Sequence, residues 1–374
     1  MTAFDRIRAG LIGGGVGAMY AAALHHVRTY YPTLPPVDLV AVATATEGSG
    51  RRLAAQLGFE RATTDYRELL AADDINVVFI ATPNHLHREM LIEGLRSGKA
   101  IYIDKPLTNT LAEAREVQQV ARQTGRDAHV GFDKRFNPAL LAAHRLIAAG
   151  RIGTIYALRA AYFRPSYADP DRSLRWKAAQ PAAGALGDLG AHLLDMVIWL
   201  AGMPSAVSAQ TRTFVTERPS GAADGGRVPV ETDDHAILLC RLPGQAIGTV
   251  EAGRMITGSV NDLSIAIYGS KGALRWSIMD PNYLEFVDGA LPEDERGWLR
   301  IPTVQRYAGA ALPRWDVPVG WMRFTVESVA AFLRAALEGR PYDPGIEQGV
   351  RVQAVIEAGL EAARRGVWVD VEGV

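Results

Sequence analysis

A glycine-rich turn near the start of the sequence constrains the fold of this chain more than any other feature. The segment AGLIGGGVGA places Gly13, Gly15 and Ala18 at G-x-G-x-x-A spacing, after an apolar run and before a helical pattern. In that context Gly13 allows a tight turn, Gly15 lets the backbone approach a pyrophosphate, and a small third residue keeps helix and strand close. The spacing predicts a strand–turn–helix unit that binds a dinucleotide, with Val16 among the contacts. Methyltransferases use similar turns, so the spacing alone is weak evidence.

Short apolar runs and helical patterns alternate through the first third of the chain. Strands are predicted at Ile7–Ile12, Asp38–Ala43, Val77–Ala81, Ala100–Ile103 and Asp127–Gly131, and helices at Ala18–Thr29, from Arg51 to Leu57, at Leu86–Gly94 and at Leu111–Gln123. Five strands separated by helices are typical of a doubly wound parallel sheet. This context strengthens the dinucleotide interpretation of the first turn.

The pattern changes after Gly150, where apolar runs are separated by turns rather than helices. Strands are predicted at Ile155–Phe163, Ala206–Phe214, His235–Leu242, Ala246–Ala252 and Leu263–Tyr268, with a helix at Ala191–Leu200 and closing helices at Phe324–Glu338 and Gly345–Arg365. Residues 217–231 are interpreted as a polar loop and residues 281–318 as irregular. The prediction is an α/β Rossmann domain (1–128) followed by an α+β domain (129–374) with a large open, mainly antiparallel sheet. It leaves open that the C-terminal helix packs back on the first domain.

The composition argues against several classes of partner and location. Lys+Arg number 40 against 41 Asp+Glu, so there is no basic footprint for nucleic acid or an anionic membrane. No apolar run approaches the roughly 20 residues that span a bilayer. The only cysteine, Cys240, lies in the apolar run AILLC, which favours a buried, unreactive thiol. Nothing resembles a signal peptide, and we expect a cytoplasmic protein.

The end of the second strand leaves the choice between NAD and NADP open. NAD-binding turns usually carry a carboxylate there, which binds the ribose 2′-hydroxyl. Here Thr44 and Thr46 occupy the expected place, with Arg51 and Arg52 nearby, a set that would tolerate a 2′-phosphate. Glu47 could still serve NAD, and the arginines could be solvated helix residues. The pattern leans slightly towards NADP.

Two later strands end in polar residues that would meet at one edge of the sheet. Thr82, Asn84 and His87 follow the third predicted strand, and Asp104 and Lys105 follow the fourth. Ligands of open α/β sheets bind at the carboxyl ends of the strands, so these side chains are predicted to contact the cofactor. A lysine at a strand end is most often a surface charge. One held between an acid and a proline in this crevice is better interpreted as catalytic.

The segment GALGDLGAHLLD carries a second set of polar side chains. On a helix, Asp188 and His192 are spaced i,i+4 and Asp195 follows three residues later, so all three would share one face. An acid and an imidazole together suit proton transfer. A capping aspartate with a hydrogen-bonded core histidine explains the spacing equally well.

Taken together and in order, these motifs resemble one known family. The turn GLIGGGVGA, TPNHLH (82–87), the tripeptide DKP (104–106) and GALGDLGAHLLD (184–195) are similar to the Gfo/Idh/MocA family of glucose–fructose oxidoreductase and inositol 2-dehydrogenase. The resemblance covers essentially the whole chain. The stretches ADPDRSLRWK and VETDDHAILLCRLPGQAIGTVEAGR look most like its glycoside-oxidising members, of the levoglucosan dehydrogenase type.

The resemblance implies roles for particular residues of this chain. The family's catalytic lysine, aspartate and histidine fall on Lys105, Asp188 and His192, which would also bind the substrate, and the Lys105–Pro106 peptide would be cis. Asp104 stands where the family has Glu. The segment GFDKRFNP (131–138) has Asp133 where the family often has Asn. Asp133 and Arg135, together with Trp176, are predicted to contact the substrate.

The predicted activity is hydride transfer between a nicotinamide, NAD or NADP, and a secondary alcohol or ketone of a sugar, anhydrosugar, glycoside or cyclitol. Two alternatives stay open: an NADPH-dependent ketosugar reductase of the 1,5-anhydrofructose type, and a sugar-sensing regulator that has lost catalysis. No metal site is predicted, since no ligand set is evident. The open sheet needs cover, and the family resemblance also implies a homodimer or homotetramer.

Overall fold

The computed structural model describes residues 4–178, 180–221, 225–304, 307–312 and 317–372, which form two compact units. The first unit contains the described residues within 1–108, 112–136 and 305–350, and the second contains those within 109–111, 137–304 and 351–374. The first unit thus also includes the described residues of a late segment of the chain, within 305–350.

The helices and strands follow the predicted order with a few additions. The helices are α1 Gly17–Tyr30, α2 Glu47–Leu57, α3 Tyr66–Ala71, α4 His87–Ser97, α5 Leu111–Thr124, α6 Pro138–Ala148, α7 Ala191–Ala201, α8 Trp321–Glu338 and α9 Ile346–Arg365. The strands are β1 Ile7–Ile12, β2 Val37–Ala43, β3 Arg61–Thr63, β4 Val77–Ile80, β5 Ala100–Ile103, β6 Ala128–Val130, β7 Ile155–Phe163, β8 Ala206–Arg212, β9 Glu217–Pro219, β10 Arg227–Pro229, β11 His235–Arg241, β12 Ile247–Gly253, β13 Asp262–Gly269, β14 Gly272–Ser277, β15 Tyr283–Asp288, β16 Leu299–Pro302 and β17 Val369–Asp370.

The sheet of the first unit is parallel throughout and doubly wound, as predicted. Its strand order is β3-β2-β1-β4-β5-β6, so the direction of winding reverses between β1 and β4. Ligands of open α/β sheets bind at such a reversal, beyond the carboxyl ends of the strands. Gly13 leaves β1 at this point, next to Ala81, which leaves β4.

An aromatic cluster fills the core of the first unit. Tyr102 stacks on Phe79, with ring centroids 5.0 Å apart, and Phe332 of α8 meets both rings edge-on. Helix α8 is also fixed by Ser328, whose hydroxyl lies 2.9 Å from the Tyr102 hydroxyl and 3.2 Å from Nε2 of His129. These contacts explain why α8, far along the chain, belongs to the dinucleotide-binding unit.

The structure adds one strand to the prediction for this sheet. The sheet has six strands rather than five, because the short strand β3 pairs with β2 and is followed by α3. The sequence of β3, Arg61-Ala62-Thr63, has no apolar run, and none of its residues is buried. Local periodicity therefore carries no signal for it.

The second unit is built on a nine-stranded sheet with one buried face. The strand order is β16-β15-β14-β13-β7-β12-β11-β8-β17. All neighbours are antiparallel except β7 and β12, so the sheet is mixed but mainly antiparallel, as predicted. Alternate residues such as Leu158, Val250 and Leu238 are fully buried on one face, over which α6 and α7 pack. The opposite face exposes Ile237 and Leu239.

Two predicted loops of the second unit contain strands. The interpretation of residues 281–318 as irregular is wrong in part, because β15 and β16 extend the large sheet there. In β15, Leu284 and Phe286 alternate inward, a strand pattern that the flanking prolines obscure. The predicted loop 217–231 contains the short antiparallel pair β9 and β10. Of the helices described, none combines the length and apolar composition needed to cross a membrane.

Candidate active site

The turn after β1 has space where a bound pyrophosphate needs it. Gly13 has φ of +100°, and a Cβ there would lie 2.2 Å from the carbonyl oxygen of Ala81, so only glycine fits. At Gly15, in contrast, a Cβ would meet no atom within 4 Å. Gly15 thus borders open space at the N-terminus of α1, which fits the close approach of a dinucleotide phosphate.

The small residue that lets α1 pack on the sheet is not the one predicted. Gly17 is buried, and a Cβ on it would lie 2.8 Å from Cδ1 of Leu11, whereas Ala18 is only partly buried. The helix–strand contact assigned to Ala18 therefore falls on Gly17. Of the four glycines in the turn, Gly13 allows the exit from β1, Gly15 borders the open space that suits a ligand, and Gly17 allows the helix to pack on the sheet.

The two glycines allow a paired prediction. Gly13→Ala should lower both the melting temperature and the NADH affinity, because the new methyl group collides with the backbone after β4. Gly15→Ala should leave the melting temperature within about 2 °C while weakening NADH more than about tenfold, because its methyl group enters only the ligand space. Thermal unfolding and fluorescence titration with NADH measure both. Equal NADH affinity of Gly15→Ala and the parent would refute the assignment.

The loop after β4 presents an amide that fits a polar ligand. Asn84 is 3% exposed, and within the described part of the chain neither its Oδ1 nor its Nδ2 has a hydrogen-bond partner. An unpaired buried amide is costly, so such a group is retained where a ligand satisfies it. Asn84 offers a donor and an acceptor beside the strand reversal, which suits the hydroxyls and carboxamide of a nicotinamide nucleotide.

His87 joins the two loops that carry the predicted site residues. Its Nδ1 lies 2.9 Å from the carbonyl oxygen of Pro106 and its Nε2 lies 3.0 Å from that of Thr82. The ring is 1% exposed, and burial lowers the pKa of this histidine. His87 therefore aligns the Thr82 and Lys105 loops, and a direct contact between its ring and the cofactor stays a prediction.

The segment after β5 carries Lys105 next to a fixed carboxylate. The Tyr20 hydroxyl of α1 donates a 2.7 Å hydrogen bond to Oδ1 of Asp104. Burial, followed by the charge of Asp104, raises the pKa of Tyr20, so the phenol stays protonated and able to donate. The Lys105–Pro106 peptide is cis, as the family resemblance implies. Asp replaces Glu in this motif, and Tyr20 holds its carboxylate.

The segment after β6 places three charged side chains in the interior of the first unit. Lys134 is 3% exposed, donates to Oδ1 of Asp133 at 2.7 Å and lies over the Trp321 ring. Oδ2 of Asp133 accepts a 3.1 Å hydrogen bond from Thr325, and Arg135 pairs with Asp343 at 2.8 Å. Burial lowers the pKa of Lys134. Substrate contacts by Asp133 and Arg135 stay predictions.

The threonines after β2 are engaged in a helix cap. Thr46 is the N-cap of α2, where its hydroxyl accepts from the Ser49 amide, and Oγ1 of Thr44 lies 2.8 Å from Oγ of Ser49. Arg51 pairs with Glu47 at 3.5 Å, and both side chains are 76% exposed. Three of the four groups behind the lean towards NADP, Thr44, Thr46 and Arg51, thus already have partners.

In the second unit, Asp188 and His192 lie on either side of a change in helix type. Residues Leu186–Gly190 form a π-helical turn, and α7 begins at Ala191. The prediction of one regular helix through Asp188 and His192 is therefore wrong, because the π-helical turn interrupts it, while a face shared by Asp188, His192 and Asp195 stays a prediction. His192 is 8% exposed and its ring lies 6.1 Å from that of Tyr162, while Asp195 is 1% exposed. Such π turns are frequent at functional sites.

Asp188 forms an ion pair that sequence reasoning missed. Nζ of Lys177 donates to Oδ2 of Asp188 at 2.6 Å, with side-chain exposures of 22% and 25%. Lys177 follows Trp176 in the short helical segment Arg175–Ala178, and its ammonium lies 5.5 Å from the centre of the Trp176 ring. The predicted substrate contact Trp176 is thereby placed beside the ion pair that includes Asp188.

Tyr20 and Lys177, which sequence reasoning missed, share one property: no local sequence pattern indicates their roles. Tyr20 lies on the buried face of α1, and Lys177 lies in an unremarkable polar stretch. Each acquires its role from a partner distant in sequence or across a turn. The only signal in the sequence is indirect: Lys177 lies in the segment ADPDRSLRWK that carries the finer resemblance.

Two protein-family models match the chain. Residues 7–132 match a model described as an oxidoreductase family with an NAD-binding Rossmann fold. Residues 140–275 match the GFO/IDH/MocA C-terminal domain.

Characterised relatives cover most of the chain. Levoglucosan dehydrogenase of Pseudarthrobacter phenanthrenivorans is 32% identical over an alignment of 390 positions, which covers 98% of this chain and 98% of that protein. Inositol 2-dehydrogenase of Rhizobium meliloti is 30% identical over 285 residues, covering 76% and 79% of the two chains. A solved structure of levoglucosan dehydrogenase in complex with NADH and L-sorbose superimposes with a TM-score of 0.93 at 30% identity, over 100% of both chains.

Proposed function

Because this chain belongs to the Gfo/Idh/MocA family of NAD-binding oxidoreductases, we propose that it oxidises a secondary alcohol of a sugar, anhydrosugar, glycoside or cyclitol. The observation that carries the proposal is the presence of all three proton-handling groups of the family, Lys105, Asp188 and His192. A regulator that had lost catalysis would have no need to keep them. The relatives' names support levoglucosan as the first substrate to try and inositols as the second.

The proposed mechanism divides the work among these side chains. His192 removes the proton of the substrate hydroxyl as a general base. Lys105 donates a hydrogen bond to the same oxygen and stabilises its developing negative charge. Asp188 positions the reacting group. A bound nicotinamide cofactor would supply the hydride acceptor for oxidation of the carbinol carbon to a ketone. The same residues catalyse the reverse reduction, so the ketosugar reductase alternative differs in direction and not in machinery.

Residues of the first unit would hold the cofactor. Gly13, Gly15 and Val16 would receive the pyrophosphate at the start of α1, and Thr82 and Asn84 would contact the nicotinamide half. The space at Gly15 and the unpartnered amide of Asn84 support this assignment. Trp176, beside the Lys177–Asp188 pair, would give one wall for a sugar ring.

We propose that NAD, rather than NADP, is the preferred cofactor. The carboxylate of Glu47 at the start of α2 would repel a 2′-phosphate, and Arg51 is already paired with it. We expect kcat/KM for NAD to exceed that for NADP by at least about tenfold, a difference of about 1.4 kcal/mol. Glu47→Gln should reduce this preference by raising kcat/KM for NADP. Glu60→Gln, which removes another exposed carboxylate, is the control, and a wild-type preference for NADP would contradict this proposal.

The assay that tests the proposed activity follows NADH formation with levoglucosan, L-sorbose and myo-inositol, each with NAD and with NADP. Turnover of at least one of these compounds supports the proposed dehydrogenase activity. Tight NADH binding without turnover of any compound, in either direction, would favour the sugar-sensing regulator.

We also propose that a second copy of the chain covers the open face of the large sheet. A groove on this face is lined by both signs of charge, Arg159 and Arg275 with Glu251 and Glu285. Arg275 already pairs with Glu285 within the chain, and a two-fold axis through this face would place the same mixed-charge groove on both sides of the interface. Light scattering should give the mass of two or four chains. Leu239→Arg, which places a charge on the open face, should lower the measured mass. A monomeric parent protein would contradict the proposal.

A further inference from the structure

We propose that Lys177 is a positioning residue that holds the carboxylate of Asp188 in the direction needed for turnover. The inference rests on the proposed function, because it concerns the same reaction. Lys177 lies outside the lysine–aspartate–histidine set that the family resemblance implies. Two observations support this role: the ion pair itself, and the hydrogen bonds by which one segment of the second unit holds the backbone on both sides of the pair.

The pair itself is short and partly shielded. Nζ of Lys177 lies 2.6 Å from Oδ2 of Asp188, and each side chain keeps only about a quarter of its surface exposed, 22% and 25%. Charge-assisted hydrogen bonds of this kind are shorter and stronger than neutral ones. With Oδ2 held by the ammonium, rotation of the carboxylate about the Cβ–Cγ bond is restrained.

One segment of the chain fixes the backbone on the Lys177 side. Residues 231–234, which we call the acidic clamp, lie directly before β11. Within the clamp, Oγ1 of Thr232 donates to the carbonyl oxygen of Lys177 at 3.0 Å, and the amide of Glu231 donates to that of Ala178 at 2.9 Å. The backbone that carries the ammonium is therefore tied to the clamp at two consecutive residues.

The same clamp fixes the backbone on the Asp188 side. Oδ2 of Asp233 accepts a 2.8 Å hydrogen bond from the Leu186 amide, and its carbonyl oxygen accepts another from Ala185 at 2.8 Å. These amides are at the start of the π-helical turn that carries Asp188. The acidic clamp thus hydrogen-bonds the backbone on both sides of the ion pair, which is the arrangement expected of a pre-organised site.

A buried ion pair anchors the clamp. Nε of Arg254 lies 2.9 Å from Oδ1 of Asp234, with side-chain exposures of 2% and 0%. The remaining guanidinium nitrogens donate to the Ala183 carbonyl and to Oγ1 of Thr232, both at 3.1 Å. Burying an ion pair this deeply costs free energy unless its donors are satisfied. Here the guanidinium donors of Arg254 are satisfied by bonds that join the clamp to the turn before Asp188. The clamp thus holds the backbone on both sides of the pair, and the ion pair with Lys177 restrains the rotation of the Asp188 side chain.

Steady-state kinetics with levoglucosan and NAD provides the first test. Lys177→Met keeps the length of the side chain and removes the charge, and we expect kcat to fall about 10- to 100-fold with the NADH dissociation constant unchanged. Lys177→Arg restores most of kcat, since a guanidinium can also bind the carboxylate. Lys271→Met, at an exposed turn of the same unit, is the matched control and keeps the parent rate. Parent-like kcat in Lys177→Met would overturn the proposal.

A double-mutant cycle separates action through Asp188 from a contact of Lys177 with the substrate. If Lys177 acts through Asp188, the change Lys177→Met costs little once Asp188→Asn is present, measured as single-turnover NADH formation. Equal losses in the two backgrounds would overturn the role through Asp188.

A crystallographic comparison is independent of turnover and therefore of the proposed substrate. In Lys177→Met, the Asp188 carboxylate should leave its parent position by about 1 Å or rotate, a shift large enough to cost about 100-fold in rate. The backbone of the π-helical turn should stay in place, because the acidic clamp still holds it. If the Asp188 carboxylate does not move in Lys177→Met, the role of Lys177 is overturned, whether or not the parent enzyme is active on any sugar. Inactivity of the parent enzyme on every sugar, taken alone, counts only against the proposed function.

Discussion

Lys105→Ala should reduce kcat about 10²- to 10³-fold while leaving NADH affinity within about twofold of the parent value. The reason is that Lys105 is assigned to the developing negative charge on the substrate oxygen, and not to the pyrophosphate, which the turn after β1 receives. Stopped-flow NADH formation and fluorescence titration measure the two quantities. Small primary amines added to Lys105→Ala should recover part of the rate.

The control for this variant is Lys271→Met, which removes an exposed ammonium from the second unit. It should match the parent in both measurements. Parent-like kcat in Lys105→Ala would remove the lysine from the mechanism, and a loss of NADH binding equal to the loss of kcat would reassign it to the cofactor.

His192→Ala should lower kcat by about 10²- to 10⁴-fold, the usual contribution of a general base. His192 is 8% exposed beside Tyr162, so its replacement leaves a hole of imidazole size. Added imidazole should therefore restore part of the turnover of His192→Ala. It should not restore that of Lys105→Ala, and a primary amine should show the reverse preference.

The matched control is His26→Asn, an exposed histidine of α1, which should keep the parent rate. Rescue of both variants by the same small molecule, or of neither, would argue that the two side chains do not have separate roles as base and oxyanion partner.

The dinucleotide-binding sheet was predictable because its signals are local. Strand β1, the turn at Gly13 and Gly15, and strand β5 all follow from apolar runs and glycine placement within short windows. The same holds for the alternation that predicts β7 and β11. Strand β3 was missed because its three residues carry no such pattern.

The candidate site was predictable only in part, since much of its geometry comes from distant contacts. Helical spacing suggested one regular helix for Asp188 and His192, but Asp188 lies in a π-helical turn whose first amide, that of Leu186, donates to the distant residue Asp233. Lys177 has no motif of its own, and its pairing with Asp188 requires the folded turn. Tertiary hydrogen bonds override local periodicity at such positions.

The central claim is that Lys105 and His192 act on the same substrate oxygen, and the double variant Lys105→Ala/His192→Ala tests it most directly. Groups that work as a unit lose their function together, so the double variant should be about as slow in single-turnover NADH formation from levoglucosan as the slower single variant. If the two losses multiply instead, the side chains contribute independently and the claim of a shared oxygen is contradicted.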